Sequence, residues 1–234
     1  MRRPLAAGAM AFLLALAHRL PELDRHVRAG GWDRFLHAGT GLVGRTLGLV
    51  GLGNVGRELA LLARPFGLRI AAADPYVRDP GPGIELLPLE DLLATADFLV
   101  VVCPLTPETH HLLDARRLAL LKPTAYLVNV ARGPIVEQAA LTEALAAGRL
   151  AGAALDVFEQ EPIAAGDPLL ALENVILAPH AVGLTDELFR LGGESVSRSV
   201  LAVARGEVPE HVLDREVLVR PDVRSRLAAR AAER

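Results

Sequence analysis

Three closely spaced glycines indicate a site for a dinucleotide. Gly51, Gly53 and Gly56 lie between the apolar run 46–50 and a helix-like run, 57–66. In this pattern Gly51 permits a tight turn, Gly53 lets the backbone approach a pyrophosphate, and Gly56 allows close helix–strand packing. The pyrophosphate would lie at the helix N-terminus, where unpaired N–H groups and the helix dipole favour an anion. Glycines also punctuate ordinary turns, so the prediction depends on the flanking strand and helix.

The acid after the next apolar run bears on the choice of cofactor. Asp74 follows the strand-like run 68–73, where a carboxylate can accept hydrogen bonds from ribose hydroxyls and repel a 2′-phosphate. Pro75 and Tyr76 follow Asp74 directly, and the first arginine after Asp74 is Arg78. The ordinary alternative is a solvated acid at a strand end. The pattern favours NAD over NADP.

Three further residues have the chemistry needed to oxidise an alcohol that carries a carboxylate. Arg132 offers a planar fork that can hold a carboxylate through two hydrogen bonds. His180 can take up and return a hydroxyl proton, and Glu161 could fix its tautomer and stabilise its protonated form. Taken singly, each has a more ordinary explanation: a surface ion pair, a satisfied loop histidine and a solvated loop acid.

Bulk composition narrows the class of protein. The 234 residues are long enough for one α/β domain with appendages or for two small domains, and a hydrophobic fraction of 51% with a net charge of −3 is typical of a soluble globular protein. No basic stripe suggests nucleic acid, and no nucleic-acid or membrane partner is expected. Cys103 is the single cysteine, so the sequence offers no disulfide framework, no cysteine-based metal site and no evidence of an oxidising compartment.

The N-terminal run is ambiguous by pattern. Two arginines precede the mostly small and apolar residues 5–17, which imitate a signal peptide. The run is too short to span a bilayer, and it fits a partly buried amphipathic helix equally well. We expect helix over 5–29, with a kink or break at Pro21 and a stop at Gly30 and Gly31, followed by an irregular connector over 32–44.

Beyond the connector, strand and helix patterns alternate, which predicts an α/β fold with a doubly wound parallel sheet. The predicted strands are 46–50, 68–73, 97–103, 124–130, 151–156 and 174–178, and the predicted helices are 55–66, 88–95, 114–121, 137–148 and 185–205. The tail after residue 206 is polar and is expected to be partly loose. Ligands of such sheets bind beyond the carboxyl ends of the strands. Asp74, Arg132, Asp156 and His180 all follow or close predicted strands, which points to one crevice.

The chain resembles the D-isomer-specific 2-hydroxyacid dehydrogenases over nearly its whole length. The resemblance is carried, in matching order and spacing, by the segments 46–56, 104–109, 128–133, 154–162 and 179–183. It implies a Rossmann NAD-binding domain with NAD as cofactor. It also implies that Arg132 binds the substrate carboxylate, that His180 is the acid/base and that Glu161 supports the histidine.

The resemblance also assigns the cofactor contacts. Asp156 would hold the nicotinamide carboxamide, Cys103 and Pro104 would line the adenine–ribose side, Val130 and Ala131 the nicotinamide side, and Gly183 would lie beside the ring. The full expected set of cofactor-binding residues is Gly51, Gly53, Asn54, Val55, Gly56, Asp74, Cys103, Pro104, Thr109, Val130, Ala131, Arg132, Asp156, His180 and Gly183. No metal ligand is expected.

Two departures from the family pattern bear on function. Val182 occupies a position often filled by glycine or alanine, close to the nicotinamide ring. Family members also have a preceding stretch that forms most of a second, smaller lobe, which closes over the cofactor. The run 3–32 resembles the helix that crosses from that lobe, which favours an interdomain helix over a signal peptide. Its apolar face is expected to pack against the lobe and otherwise to be partly exposed.

These observations define the expected organisation. Residues 1–35 would form the interdomain helix and connector, 36–190 the NAD-binding Rossmann domain, and 191–234 a C-terminal helix and tail. The leading hypothesis is an NAD-dependent, cytoplasmic, homodimeric oxidoreductase that interconverts a 2-hydroxy acid and a 2-oxo acid. The alternative is an NAD-binding truncated or regulatory module with little or no turnover. The particular 2-hydroxy acid and the direction of the reaction are left open, and weak turnover is expected of a chain lacking most of the substrate lobe.

Overall fold

The computed structural model describes residues 2–35 and 38–232, which form two units according to their contacts, 2–183 and 184–232. Strand and helix alternate through the first unit. Its strands are β1 (Thr46–Val50), β2 (Arg69–Ala73), β3 (Ile84–Leu86), β4 (Phe98–Val101), β5 (Tyr126–Asn129), β6 (Gly152–Leu155) and β7 (Val175–Leu177). Its helices are α1 (Arg2–Ala17), α2 (Leu20–Arg28), α3 (Asn54–Ala63), α4 (Leu89–Thr95), α5 (Ala115–Leu118) and α6 (Gln138–Ala146).

The seven strands form one parallel sheet in the order β3-β2-β1-β4-β5-β6-β7. One hydrophobic cluster joins α1 and α3 to one face of the sheet, and a second joins α4 and α6 to the other. The predicted doubly wound α/β sheet is therefore confirmed. All six predicted strands are present, and β3 is an additional edge strand. The predicted helix 114–121 shortens to α5.

Helix α1 belongs to the core of this unit. Its buried residues, which include Phe12, Leu13 and Leu16, pack with α3, β5 and β6. Salt bridges from Arg2 and Arg3 to Glu58 of α3 fix its N-terminal end. The expectation that the apolar face of this helix is left partly exposed is therefore wrong, because that face covers the chain's own sheet.

The break in the N-terminal helix was predicted at Pro21, and it lies slightly before this residue. Helix α1 ends at Ala17, Arg19 takes the left-handed conformation with φ of 53°, and α2 begins at Leu20. Pro21 thus falls in the first turn of α2, where its missing N–H has no intrahelical partner to lose. Among the described residues no single helix is long and apolar enough to cross a membrane. Helices α1 and α2 meet such a criterion only together, and they are bent by 57° at their break.

The second unit is helical. It contains α7 (Asp186–Ala204), a 3-10 turn (Arg215–Val219) and α8 (Pro221–Ala232). Helix α8 corrects the expectation of a loose tail, since Gly206 after α7 lies against the backbone of Leu227 and Ala231. The predicted domain boundary at 35/36 and the chain ends at 1 and 234 involve residues outside the described part of the chain, and the domain division stays a prediction.

Candidate active site

The register of the sheet brings six strand ends into one row. Val50 pairs with Ala73 on one side and with Val101 on the other. The pairing continues from Val101 through Asn129 and Leu155 to Leu177. The residues that follow these positions therefore start level with one another at the carboxyl edge, and they are Gly51, Asp74, Val102, Val130, Asp156 and Ala178.

The glycine turn has the geometry that its residue types require. Gly51 has a φ of 100°, and a Cβ there would lie 2.8 Å from the backbone nitrogen of Cys103. A Cβ on Gly56 would lie 2.5 Å from the carbonyl oxygen of Gly51, so the helix can approach the strand only without it. Helix α3 begins at Asn54 with Gly53 as its N-cap and no side-chain cap. Its first N–H groups are thus arranged to receive an anion.

Asp74 directly follows β2. It holds the glycine turn by hydrogen bonds and also borders the cavity expected to receive the cofactor. Its carboxylate accepts hydrogen bonds from the backbone N–H groups of Leu52 (2.8 Å) and Tyr76 (3.0 Å). It borders a cavity of about 390 Å³ that is also lined by Gly51, Cys103, Pro104, Thr109 and several apolar residues. The Thr109 hydroxyl accepts from the Thr106 N–H at 2.7 Å and donates to the Pro104 carbonyl at 2.8 Å, so it shapes one wall.

A second cavity, of about 610 Å³, adjoins the first along Cys103 and Pro104. Its lining is Leu5, Val55, Val102, Cys103, Pro104, Leu105, Val130, Ala131 and Arg132. Burial raises the pKa of the Cys103 thiol to about 11, so this group is neutral at physiological pH. Arg132 is therefore the charged member of an otherwise uncharged lining.

A histidine–glutamate pair stands at the same edge of the sheet. His180 Nδ1 lies 2.8 Å from Glu161 Oε2, and Glu161 Oε1 accepts the N–H of Phe158 at 3.1 Å. The hydrogen bond with His180 is the largest effect and lowers the pKa of Glu161. Burial, the next largest, opposes it, and the Phe158 N–H and the charges of His180 and Arg132 add to the lowering. Glu161 is thus ionised beside the imidazole, and Nε2 is the ring nitrogen left for other chemistry.

The loop of His180 is fixed by a buried carboxylate. Asp156, 2% exposed, accepts hydrogen bonds at one oxygen, Oδ1, from the N–H groups of Ala181 (2.8 Å) and Val182 (3.0 Å). His180 itself has a φ of 55°, which is uncommon for a residue with a side chain. The resemblance gives Asp156 a role toward the nicotinamide carboxamide, and the structure adds this second role toward the loop.

Arg132 depends on a residue that sequence reasoning missed. Asn129, 1% exposed at the end of β5, accepts the N–H of Ala131 at 3.0 Å and donates to the carbonyl of Arg132 at 3.1 Å. These bonds form the turn that presents Arg132, which is exposed. A polar residue closing an apolar strand was the available sign. Leu5 also lines the larger cavity and was not predicted. No local pattern could have indicated it, because it reaches the cavity from a helix distant in sequence.

The structure thus brings the expected residues to one edge in three groups. Gly53, Asn54 and Gly56 form the helix N-terminus, and the two cavities hold most of the others. Glu161, Asp156, His180 and Gly183 lie outside the lining of these cavities, at and beyond the ends of the adjoining strands β6 and β7. Within the described residues no group of three or more His, Cys, Asp or Glu side chains could hold a metal ion.

Comparison with known proteins identifies the family. Residues 10–182 match the model of the D-isomer specific 2-hydroxyacid dehydrogenase, NAD binding domain. The chain belongs to this family. The glyoxylate reductase of Korarchaeum cryptofilum is 46% identical over 221 residues, which are 91% of this chain and 67% of that enzyme. The helix N-terminus, the glycine turn and Asp74 fit the NAD that this domain binds in the family.

Solved structures agree with this assignment of the 2-hydroxyacid dehydrogenase fold. A protein from Thermus thermophilus superposes with a TM-score of 0.86 at 39% identity, covering 91% of this chain and 68% of that one. The D-lactate dehydrogenase of Aquifex aeolicus, solved with NAD and lactic acid, gives a TM-score of 0.82 at 29% identity, covering 88% of this chain and 68% of that one. The chain spans about two thirds of the length of these relatives.

Proposed function

We propose that this chain carries the NAD-binding and catalytic residues of an oxidoreductase that acts on the CH–OH group of a D-2-hydroxy acid. The observation that carries the proposal is the 2.8 Å contact between His180 Nδ1 and Glu161 Oε2, at the sheet edge that also presents Arg132 and the glycine turn. This is an acid/base with its supporting carboxylate beside a cationic anchor. The names of the relatives, glyoxylate reductase and D-lactate dehydrogenase, support the same reaction class.

Each residue of the pair has a distinct task in this reaction. NAD, when bound, supplies the acceptor or donor of the hydride. His180 takes the hydroxyl proton during oxidation and returns it during reduction, using Nε2 because Nδ1 is engaged by Glu161. The ionised Glu161 stabilises the imidazolium that forms and holds one tautomer of the neutral ring.

Arg132 fixes the orientation of the substrate. A guanidinium can bind a carboxylate in two parallel hydrogen bonds, which holds the neighbouring C2 in one place. Among the described residues that line the larger cavity Arg132 carries the one charge, so a carboxylate there would meet a cation and no repelling acid. Glyoxylate is our first candidate, because the relative at 46% identity is a glyoxylate reductase.

NAD is the proposed cofactor in preference to NADP. Asp74 places a carboxylate at the end of β2, on the rim of the smaller cavity. Its two backbone hydrogen bonds use one lone pair of each oxygen and leave others for ribose hydroxyls. A 2′-phosphate at the same place would meet a like charge.

Hydride transfer tests the proposal. Purified chain is mixed with NADH and a panel of 2-oxo acids that begins with glyoxylate, and loss of NADH absorbance is followed. His180→Ala should abolish turnover while the dissociation constant of NADH stays nearly unchanged, and Arg132→Leu should raise KM for the 2-oxo acid. Turnover by His180→Ala would refute the assignment. NADH binding without turnover of any 2-oxo acid would favour a binding module instead.

We further infer a cytoplasmic homodimer. Trp32 and Phe35 of the connector are 76% and 93% exposed, and burial of such large apolar side chains against a second copy would favour association. The single thiol of Cys103 is consistent with a location that forms no disulfides. Sedimentation velocity should show a dimer that Trp32→Ser with Phe35→Ser dissociates, and cell fractionation should recover the protein with cytoplasmic markers. A monomeric native chain would rule out the dimer.

A further inference from the structure

Helix α1 packs directly on the loop that carries His180. A Cβ built on Gly8 would lie 2.7 Å from the carbonyl oxygen of Val182 and 2.8 Å from its Cγ2. One turn earlier on the same helix, Leu5 stands 3.4 Å from the position of a Cβ on Gly183. Gly8 is buried, so the α1 backbone itself touches the loop at this point.

The opposite side of the loop is held by hydrogen bonds. Asp156 receives the N–H groups of Ala181 and Val182 at 2.8 and 3.0 Å. The loop is therefore fixed between the buried carboxylate and the Gly8 backbone. His180 lies two residues from the Gly8 contact in a left-handed conformation, so a displacement of Val182 reaches the histidine backbone with little room to relax.

Resting on the function proposed above, we propose that Gly8 is a positioning residue for the acid/base, acting through Val182 on His180. A Cβ added at residue 8 would lie about 0.7 Å closer to the carbonyl oxygen of Val182 than the 3.4 Å at which ordinary van der Waals contact begins. The loop or the helix must move by that amount. Misplacement of a reacting group by about 1 Å can cost about 10²-fold in rate.

Val182 and Gly8 fit one another in size. The Cγ2 of Val182 lies where it would press on any side chain at position 8. The carbonyl oxygen and the Cγ2 of Val182 together leave no room for a Cβ at position 8, so the two positions should be energetically coupled.

A double-mutant cycle tests the coupling. Gly8→Ala should lower kcat for 2-oxo acid reduction by about 10- to 100-fold while the NADH dissociation constant changes less than about twofold. Val182→Ala removes the Cγ2 contact but not the carbonyl contact, so the double variant should recover part of the loss. Gly193→Ala is the matched control: apart from its chain neighbours and the backbone of its own helix, no atom of the described residues lies within 4 Å of the added Cβ, and kcat should not change.

Nuclear magnetic resonance of the histidine ring reads the position of His180 independently of turnover. The His180 Cε1–H signal, assigned by its loss in His180→Ala, should move in Gly8→Ala and return toward its native position in the double variant. If the native chain reduces no 2-oxo acid, the proposed function fails, and this measurement still decides the role of Gly8.

Three results would overturn the proposal. The first is an unmoved His180 signal with normal kcat in Gly8→Ala. The second is a double variant whose loss of kcat equals the product of the single losses. The third concerns NADH binding. Should Gly8→Ala fail to bind NADH, binding is measured in the double variant, and failure to recover there would also refute the contact.

Discussion

The hydrogen bonds from Asp156 to the histidine loop allow a quantitative prediction. Asp156→Ala removes the acceptor of two N–H groups at 2.8 and 3.0 Å. A hydrogen bond to a charged group contributes about 1.5 kcal/mol or more, so the loop loses about 3 kcal/mol of preference for its native position. At 1.4 kcal/mol per factor of ten, the equilibrium constant for the native placement of His180 falls by about 100-fold. We expect kcat to fall by up to this factor.

The assay separates loop placement from cofactor binding. Single-turnover hydride transfer at saturating NADH reports the loop, and fluorescence titration of NADH reports the cofactor site. Asp156→Asn retains a carbonyl acceptor for the two N–H groups, so kcat should fall by closer to tenfold in this variant. Asp97→Ala is the matched control, since Asp97 is also buried and accepts a backbone N–H, that of Thr46 at 2.9 Å, at the amino edge of the sheet.

Asp97→Ala should lower the free energy of unfolding and leave kcat unchanged, whereas Asp156→Ala should lower kcat. For a chain of this size, each 1 kcal/mol corresponds to about 2–4 °C in the melting temperature. Equal kcat in Asp156→Ala and the native chain at saturating NADH would refute the reasoning. A tenfold or greater loss of kcat in Asp97→Ala would show that the effect is global rather than local.

Three further predictions follow from the contacts of other acids. Asp74→Ala should narrow the preference for NADH over NADPH in binding titrations, and equal binding of both by the native chain would exclude Asp74 as the selector. Glu161→Gln removes the charge that stabilises the imidazolium formed by His180 during oxidation, so kcat for hydroxy-acid oxidation should fall while the NADH dissociation constant changes little; an unchanged kcat would contradict the pairing. Burial opposes ionisation of Asp97, but the Thr46 N–H and Lys122 outweigh it and lower its pKa. A lowered pKa stabilises the fold above the unfolded value of about 3.9 and ceases to do so as pH falls through the folded pKa. Asp97→Asn should therefore lower the urea midpoint at pH 7 and by less near pH 3, and an equal loss at both would refute the linkage.

Local sequence patterns predicted the parts of the site that depend on strand ends. Asp74, Asp156 and the residues after Asn129 start in one row because parallel strands in register align their carboxyl ends. The glycine spacing also predicted the turn before α3. Gly51 has a φ of 100°, which residues with a side chain rarely adopt, so the residue type itself marks the turn. These features require only local chain geometry and one rule of sheet topology.

The features that sequence missed come from contacts between distant segments. Strand β3 has three residues, which are too few for an alternating pattern to be recognised, and it forms by pairing with β2. Gly8 looks like a helix residue of low propensity, and its role becomes visible only with Val182 opposite. No periodicity within α1 could have revealed that partner.

The position of His180 is thus determined by three segments that are far apart in sequence. Glu161 holds the ring, Asp156 holds the backbone that follows it, and Gly8 supports the far side of the loop. All three lie within residues 2–183, the unit that also forms the glycine turn. The contacts described here that place the acid/base therefore all come from within this unit. Changes at these three residues should appear in kcat, whereas changes at Arg132, which anchors the substrate, should appear first in KM.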